Sequence, residues 1–315
     1  MLVNGQWQGE WEPGQASDPH GKFIRQSSTI RNWITSDGSA GPTGDAGFKA
    51  EAGRYHLYLG LICPWACRTL MARMIKGLEQ QITISIVSPV MTAQGWQFEH
   101  FPRATKDHLH NCDYLHQLYT RNDSGYSGRA TVPVLWDKKG DRMVNNESAD
   151  ILRMLNSAFE AIAPSEINLY PRSLRDKIDK LNSYYYDKLN NGVYRAGFAT
   201  SQQAYDDAFA EVFAALDDAE QRLSHQTFIL GEQLTETDIR LFVTLARFDV
   251  AYHGLFKCNR KRIIDYPHLS RYLHHVYTLP GISDTVDFQH IKQGYYSIRK
   301  LNPNGIVPQG PEHQI

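Results

Sequence analysis

Cys63 is the residue of this chain whose type and setting favour nucleophilic chemistry. It lies between the alternating segment YHLYL and a helix-like segment that begins at Pro64. A thiol at the N-terminus of a helix faces unpaired backbone N–H groups and the positive end of the helix dipole, and both favour the thiolate. Proline suits the first helical position, where no backbone donor is needed. The segment therefore predicts a reactive cysteine, with a small buried thiol as the alternative.

The residues after Cys63 indicate which kind of thiol would act with it. A dithiol oxidoreductase has a C-x-x-C motif, but this chain has Ala66 in place of the second cysteine. A mixed disulfide on Cys63 would therefore be resolved by an external thiol. Cys67 lies one helical turn further along the same face. We interpret Cys67 as a packing residue, and slow internal resolution of the disulfide is the alternative.

Two later segments carry groups suited to a small anionic peptide. In TVPVLWD, Val132 precedes Pro133. In thioredoxin-like domains such a proline is typically cis, so that Val132 would pair with a peptide through its main chain. In NNESADI, Ser148 at a helix start would bind a carboxylate, and Glu147 would bind an ammonium group. Each residue also has an ordinary alternative, as a strand-edge proline, an N-cap serine or a solvated acid. A carboxylate and an ammonium group are both present at the γ-glutamyl end of glutathione. Together, and in this order after Cys63, these residues favour glutathione as the ligand.

The order of predicted elements around Cys63 is typical of a thioredoxin-like domain over residues 51–160. Strand, helix and strand come first, in RYHLYLGLI, the segment from Pro64 and QITISIV, and a hairpin and a helix come last. The intervening insertion, at about residues 88–128, is too long for a loop without structure, and KDHLHNCDYLHQLYTRN is its predicted helix. Residues 1–50 are predicted to form an irregular arm anchored by aromatic residues, namely Trp7, Trp11, Phe23 and Trp33.

The rest of the chain has helical periodicity. It predicts an all-α domain over residues 165–290, followed by a C-terminal tail over residues 291–315. One helix start is well marked, because Thr235 and Asp238 stand three residues apart before an apolar run, as in a capping box. The sequence therefore predicts a thioredoxin-like domain followed by an all-α domain.

Composition and charge exclude several classes of partner. The chain has 315 residues, a net charge of -1 and no long block of like charge, which disfavours nucleic acid and a membrane surface as partners. Its apolar runs fall short of the roughly 18 residues that a spanning helix needs, and no secretory signal is visible. Four cysteines do not make a disulfide framework in a chain of this length. We therefore predict a soluble protein of the reducing cytoplasm.

A metal site is the alternative suggested by the segment HLHNCDYLH, which contains His108, His110, Cys112 and His116. On a helix, residues two apart do not share a face, so only Cys112 and a histidine four residues away could bind one metal ion. We therefore predict no metal site.

Several segments together resemble the glutathionyl-hydroquinone reductases, the xi class of glutathione transferases. They are RYHLYLGLICPWACRTL, VPVLWD, NNES, LTETDIRLFVTLARFD, HIKQGYY and NPNGIVPQGP, in order along nearly the whole chain. The resemblance implies an α+β/α fold class, a thioredoxin-like N-terminal domain followed by an all-α glutathione-transferase C-terminal domain. It also implies glutathione-dependent reduction of S-glutathionyl-hydroquinones through a Cys63–glutathione mixed disulfide, with release of glutathione disulfide. Glutathione would be a co-substrate, with no bound cofactor, and the protein a homodimer.

The resemblance also implies roles for individual residues. Tyr194 resembles the family's proton donor or acceptor, whereas Tyr252 and Tyr295 resemble tyrosines that hydrogen-bond the cysteine region and help to lower its pKa. Trp96 resembles the tryptophan that packs on bound glutathione, and Arg129 lies beside the strand that would hold it. The alternatives are tyrosines packed at helix interfaces, a loop anchor and a surface charge.

The chain departs from the family pattern near its C-terminus and after Cys63. Gly294 stands where a histidine is expected, and Ile298 and Arg299 stand where a serine–histidine pair is expected. Cys67 stands where a histidine or a small residue is expected. These departures bear on the hydrogen bonding around Tyr295. Two rival functions stay open: a conventional or omega-like transferase that conjugates electrophiles or reduces dehydroascorbate or disulfides, and a non-catalytic transferase-like scaffold.

Overall fold

The chain folds into two compact units. A computed structural model describes residues 1–9, 16–312 and 315. One unit comprises Met1–Trp11 with Ser27–Asn168, and the other comprises Glu12–Gln26 with Leu169–Ile315. The expected N-terminal arm is thus shared between the two units. Trp11, one of its expected anchors, lies outside the described residues.

Four short strands give the arm more order than its composition indicates. They form two small sheets, one antiparallel and one parallel. Two expected anchors hold it within the first unit, since the indole nitrogen of Trp7 donates to the Ala93 carbonyl at 2.8 Å and that of Trp33 donates to the Thr43 hydroxyl at 2.6 Å. The strands are β1 (Leu2–Val3), β2 (Gln6–Trp7), β3 (Trp33–Thr35) and β4 (Gly47–Lys49).

A four-stranded sheet forms the centre of the first unit. Its strands lie in the order β6-β5-β7-β8, with β5 parallel to β6 and antiparallel to β7. Helix α1 connects the two parallel strands, and α3 packs against α1, so that the strand β5 leads directly to the helix start that carries Cys63. The elements are β5 (Tyr55–Leu59), α1 (Pro64–Ile75), β6 (Ile82–Ile86), β7 (Val134–Asp137), β8 (Arg142–Asn145) and α3 (Ser148–Ser157).

The insertion between β6 and β7 contains a shorter helix than expected. Helix α2 spans Leu115–Asn122, the second half of the predicted segment. The first half turns around the buried carboxylate of Asp107, which accepts hydrogen bonds from the backbone N–H groups of Leu109 and Cys112 and from the hydroxyl of Tyr58. These contacts hold the backbone in turns, because an aspartate that bonds nearby N–H groups competes with helix formation.

The second unit is helical, as its periodicity predicts. Its helices are α4 (Arg175–Tyr185), α5 (Gly192–Gly197), α6 (Gln202–Leu223), α7 (Glu236–Arg247), α8 (Pro267–Tyr277) and α9 (Phe288–Tyr296). Helix α9 therefore crosses residue 290, where the tail was expected to begin. Two π-helical turns, Tyr186–Asn190 and Phe248–Tyr252, follow α4 and α7. Within residues 1–9, 16–312 and 315, no helix has both the length and the apolar character needed to cross a membrane.

Candidate functional site

Cys63 lies where the sequence predicts it, at the N-cap of α1. Its backbone is extended, with φ −78° and ψ 118°, and Pro64 takes the first helical position. The Cys63 carbonyl accepts the hydrogen bond of the Cys67 backbone at 3.0 Å, which begins the helical ladder. The thiol is half-buried, whereas the thiol of Cys67 is buried. Cys63 is therefore the more accessible of the two thiols on this helix, and it lies at the helix N-terminus, where the helix dipole is positive.

The Cys63 sulfur also lies beside the segment that was expected to hold a peptide. Its Sγ is 3.6 Å from the carbonyl oxygen of Val132, and the Val132–Pro133 peptide bond is cis, as expected. The preceding residue is held from the insertion, because the Tyr119 hydroxyl donates to the Thr131 carbonyl at 2.8 Å. The first unit thus brings together the cysteine and the backbone segment that the sequence predicted to bind a thiol peptide.

The start of helix α3 differs in detail from the expectation. Glu147 is itself the N-cap residue, and its carboxylate accepts a hydrogen bond from the Ala149 backbone at 3.1 Å and another from the Ser28 hydroxyl at 3.1 Å. Ser148 is the first helical residue and is buried. A glutamate carboxylate at the N-cap can accept a hydrogen bond from the helix backbone with one oxygen and bond another group with the other. The arm residue Ser28 was not expected at this place.

Trp96 and Arg129 lie at the edges of the first unit. Trp96 is half-buried in the insertion, where its carbonyl accepts the backbone N–H of Leu115 at 2.9 Å at the start of α2. Arg129 is half-buried as well, and its charge, after burial, lowers the pKa of the Met1 amino group. Their predicted roles beside glutathione stay predictions.

The three tyrosines singled out by the resemblance meet inside the second unit. The hydroxyl oxygen of Tyr295 lies 2.6 Å from that of Tyr194 and 2.9 Å from that of Tyr252, and the last two are 3.4 Å apart. They come from α9, α5 and the π-helical turn after α7, and all three are buried. We call this set the tyrosine cluster. Because each phenol both donates and accepts, a proton can be shared among the three hydroxyls.

The charges around the tyrosine cluster bias its protonation. Burial raises the pKa of Tyr252 and that of Tyr295 well above the ordinary value of 10.0, and the neighbouring Tyr194 raises both further. The positive charge of Arg247, at the end of α7, opposes these shifts. A second cation, the guanidinium of Arg25, lies 4.7 Å from the centroid of the Tyr194 ring. Tyr252 and Tyr295 are therefore hydrogen-bond donors at ordinary pH.

Sequence reasoning missed both arginines. Arg247 was foreseeable in part, because it is a charged residue within the apolar run LFVTLARF. In the structure it is fully buried. Arg25 gave no signal of that kind, since it lies in an arm of irregular composition, and the residue it contacts, Tyr194, is 169 positions further along the chain.

The alternative metal site is not assembled. Among residues 1–9, 16–312 and 315, no three or more His, Cys, Asp and Glu side chains are arranged to hold a metal ion. The ring of His116 stacks on Trp7 at 4.7 Å, and that of His110 packs edge-on against Trp136 at 5.0 Å. Burial raises the pKa of Cys112 to about 12, which disfavours the thiolate that a metal would need.

The departures from the family pattern leave the tyrosine cluster intact. Gly294 is buried in α9, and its carbonyl accepts the hydroxyl of Ser297 at 2.7 Å. Arg299 contacts the tail, donating to the Pro303 carbonyl at 3.5 Å. The hydroxyl of Tyr295 nevertheless has two tyrosine partners, so its hydrogen bonding does not depend on a histidine at these positions.

Comparison with known proteins extends these findings over the whole chain. Family models of the glutathione S-transferase N-terminal and C-terminal domains match residues 62–158 and 202–275, which confirms the predicted fold class. The chain is 51% identical to the glutathionyl-hydroquinone reductase YqjG of Escherichia coli, over 99% of this chain and 95% of that protein. It is 45% identical to the glutathionyl-hydroquinone reductase PcpF of Sphingobium chlorophenolicum, over 100% and 97%.

Solved structures show the same similarity. The glutathione-bound structure of YqjG matches with a TM-score of 0.91 and 48% identity, over 99% of this chain and 96% of that one. The glutathione S-transferase Xi of Phanerochaete chrysosporium matches with a TM-score of 0.90 and 46% identity, over 95% and 96%. Both units of this chain therefore have counterparts in these proteins.

Proposed function

Because the chain belongs to the glutathionyl-hydroquinone reductases, the xi class of glutathione transferases, we propose that it uses glutathione to reduce S-glutathionyl-hydroquinones. The observation that carries the proposal is the half-buried thiol of Cys63 at the N-cap of α1, with Ala66 in place of a resolving cysteine. Such a thiol is suited to forming a mixed disulfide that an external thiol must reduce.

The reaction has two steps, and each begins with the attack of a thiolate on a sulfur atom. In the first, the Cys63 thiolate attacks the sulfur of the conjugate, so that a disulfide bond forms between Cys63 and glutathione while the bond from sulfur to the aromatic carbon breaks. The ring leaves with that electron pair and takes up one proton, giving the hydroquinone. In the second, a glutathione thiolate attacks the mixed disulfide, which releases glutathione disulfide and restores the Cys63 thiolate. One conjugate and one glutathione thus yield one hydroquinone and one glutathione disulfide.

The first unit supplies the groups that would bind the γ-glutamyl end of glutathione. Val132 would pair with the peptide backbone, next to cis Pro133. Ser148, at the start of α3, would bind the carboxylate, because helix N-termini bind anions. The Glu147 oxygen that the Ala149 N–H does not engage would share the ammonium group with the Ser28 hydroxyl. Trp96 would pack on glutathione, and Arg129 would add positive charge.

The proton for the departing ring would come from the tyrosine cluster. Tyr194 would give its hydroxyl proton to the aromatic carbon, as the family resemblance implies. Burial raises the pKa values of Tyr252 and Tyr295, so these two tyrosines would keep their own protons. Tyr295 and Tyr252 would then donate hydrogen bonds to the Tyr194 oxygen. The thiol proton of the second glutathione would restore Tyr194, which closes the proton balance.

The test is release of hydroquinone from a glutathionyl-hydroquinone with excess glutathione, for the wild type, Cys63→Ala and Cys67→Ala. The last is a matched control, since it removes the other thiol of the same helix. We expect Cys63→Ala to lose turnover and the Cys63–glutathione adduct seen by intact mass, while Cys67→Ala retains both. A wild type that binds glutathione without releasing hydroquinone would favour the scaffold, and one that only conjugates glutathione to electrophiles would favour a conventional transferase.

The cellular setting and assembly belong to the same proposal. We propose a cytoplasmic location, supported by four cysteines that are all free thiols. We also propose a homodimer, as the family resemblance implies. Light scattering across a concentration series measures the mass of the assembly, and a monomer throughout would contradict the dimer.

A further inference from the structure

The contact between Arg25 and Tyr194 joins an N-terminal segment to the tyrosine cluster. The Arg25 guanidinium carbon is 4.7 Å from the centroid of the Tyr194 ring. Its Nε donates to the side-chain oxygen of Asn191 at 2.7 Å, and Asn191 is the N-cap of α5, the helix that carries Tyr194. A cation over an aromatic ring is attracted by the electrons of its face. Arg25 thus contacts two residues of the first turn of α5, Asn191 at its start and Tyr194 at its end.

The segment that carries Arg25 is part of the second unit and is held there by hydrogen bonds and packing. The Gly21 carbonyl accepts the Thr200 backbone N–H at 3.0 Å, and the His20 carbonyl accepts the Ser201 hydroxyl at 2.7 Å. Gly21 has φ +83°, and a Cβ there would lie 2.8 Å from the Ser201 nitrogen, so only glycine fits. Phe23 is buried against Phe198 at 5.2 Å. The place of Arg25 is therefore set by the fold of the segment.

Two cations and two phenols lie around Tyr194 or act on its tyrosine partners. Arg25 faces it from the N-terminal segment, Tyr252 from the π-helical turn and Tyr295 from α9, and Arg247 acts on both other tyrosines from the end of α7. Hydrogen-bond donors and positive charge stabilise a negative charge on a nearby oxygen. A phenolate is the charge that Tyr194 would carry after giving up its proton.

We propose that Arg25 is a positioning residue: its guanidinium holds the Tyr194 ring and stabilises the phenolate that remains when the proton moves to the departing ring. The inference rests on the proposed function for its place in the reaction. When the proton of Tyr194 reaches the aromatic carbon, the negative charge passes from that carbon to the Tyr194 oxygen, on the ring that Arg25 faces. The charge stays there until the thiol of the second glutathione supplies a proton. Arg25 takes no part in bond making or breaking.

Protonation of Tyr194 can be followed without turnover. Protein labelled with an NMR-active isotope at tyrosine Cζ is titrated with base, and the Tyr194 signal is assigned by its loss in Tyr194→Phe. We expect Arg25→Gln to raise the proton affinity of Tyr194 roughly tenfold, the size of a cation–ring interaction in a partly desolvated place. Arg25→Lys keeps the positive charge. On a logarithmic scale, we expect it to change the proton affinity of Tyr194 by less than half as much as Arg25→Gln does.

The matched control is Arg260→Gln. The Arg260 guanidinium lies 4.5 Å from the ring centroid of Phe213 in the same unit, over a ring without a hydroxyl, so this variant should leave the Tyr194 titration unchanged. Hydroquinone release should fall about tenfold in Arg25→Gln, whereas glutathione exchange with a small mixed disulfide should not change.

The two proposals fail separately. An unchanged Tyr194 titration in Arg25→Gln, or an equal change in Arg260→Gln, would overturn the role of Arg25. A wild type without hydroquinone release whose Tyr194 titration still responds to Arg25→Gln would count against the proposed function and leave the stabilisation by Arg25 supported.

Discussion

The hydroxyl oxygens of Tyr194 and Tyr295 lie 2.6 Å apart, although 101 positions separate the two residues in the chain. A distance of this size is within the short range of O–H···O hydrogen bonds and indicates a strong donor–acceptor pair. Tyr295 also reaches Tyr252 at 2.9 Å. Tyr295 is therefore the central member of the tyrosine cluster, and Tyr194 is the member whose ring centroid lies 4.7 Å from the Arg25 guanidinium.

Removing the Tyr194 hydroxyl should separate the two chemistries of the enzyme. We expect Tyr194→Phe to lower hydroquinone release by about 10²-fold, because proton transfer to carbon loses its acid. Glutathione exchange with a small mixed disulfide should persist, since an expelled thiolate needs no proton from the protein. Stopped-flow measurement of both reactions on one preparation checks this. Tyr296→Phe, at the half-buried neighbour of Tyr295, is the matched control. Equal losses in both reactions would contradict a proton-donor role.

Local patterns of this chain predicted local structure well. The helix start at Pro64 and the capping box of Thr235 and Asp238 depend on residues within one helical turn, and both are confirmed. The alternation of apolar residues predicted the strands before and after α1. The predicted fold class is confirmed as well. In each case the interacting groups are close in sequence, so a pattern of residue types is enough to reveal them.

Contacts between distant residues could not be predicted in the same way. Nothing near Arg25 indicates that it will meet Tyr194, because that contact depends on how the N-terminal segment packs on α5. The shortened α2 has a similar cause, since Asp107 binds backbone groups that a helix would need, and Tyr58 on β5 supports it. The tyrosine cluster was singled out by family resemblance alone.

The capping box of α7 should be important for stability. The buried carboxylate of Asp238 accepts hydrogen bonds from the backbone of Ile229 at 2.9 Å, the backbone of Thr235 at 2.8 Å and the hydroxyl of Tyr272 at 3.1 Å. Asp238→Ala leaves the backbone N–H groups of Ile229 and Thr235 buried without this acceptor, while the Tyr272 hydroxyl keeps the carbonyl of residue 238 at 3.2 Å. The variant should lower the free energy of unfolding by about 3 kcal/mol. Urea denaturation followed by circular dichroism measures the loss.

The matched control for this loss is Asp265→Ala. Asp265 closes a similar capping box with Arg262 over a short 3-10 turn, but its side chain is 41% exposed. Water can replace it there, so we expect a loss below about 1 kcal/mol. Comparable losses in the two variants would show that burial is not what makes Asp238 important.

An ion pair at the edge of the central sheet should make stability depend on acid. Arg54 donates two hydrogen bonds to Asp137, at 2.7 and 2.8 Å, and the Asp137 side chain is 1% exposed. Burial alone would raise the pKa of Asp137. The hydrogen bonds and charge of Arg54, together with hydrogen bonds from the backbone N–H groups of Lys139 and Gly140, outweigh burial and lower that pKa below 3.8. The folded protein then binds this proton less tightly than the unfolded chain. The ion pair therefore contributes its full stabilisation above the ordinary pKa of 3.8, which applies to the unfolded chain. This stabilisation is lost as the pH falls through the lower pKa of Asp137 in the folded protein.

Asp137→Asn tests this ion pair. Near neutral pH the variant should lose about 3 kcal/mol in the free energy of unfolding, because Arg54 loses its buried partner and keeps the more exposed Glu51. The loss should shrink when both proteins are denatured with urea at acid pH. Asp141→Asn is the control, since the Arg121–Asp141 pair is 46% exposed on both sides and should contribute less than about 1 kcal/mol. A loss for Asp137→Asn that is the same at both pH values would contradict the ion-pair explanation.

His56 should produce a second pH dependence, at higher pH. Its imidazole is buried on β5 between the hydroxyls of Thr83 and Ser85, at 2.7 and 3.0 Å, and burial lowers its pKa to about 3 from 6.5. Between these two values the unfolded chain binds a proton that the folded protein does not, so stability falls as the pH falls. We expect the free energy of unfolding to drop by about 1.4 kcal/mol per pH unit from roughly pH 6 to pH 4.

The slope of that curve, rather than its height, identifies His56 as the cause. His56→Gln keeps a polar side chain for the two hydroxyls but cannot take up a proton, so its unfolding free energy should be flatter over the same pH range, even if it is lower throughout. His274→Gln, which removes an exposed histidine of α8, is the matched control and should keep the wild-type slope. Urea titrations at four or five pH values give the three slopes. A His56→Gln slope equal to that of the wild type would mean that the acid sensitivity arises at other groups.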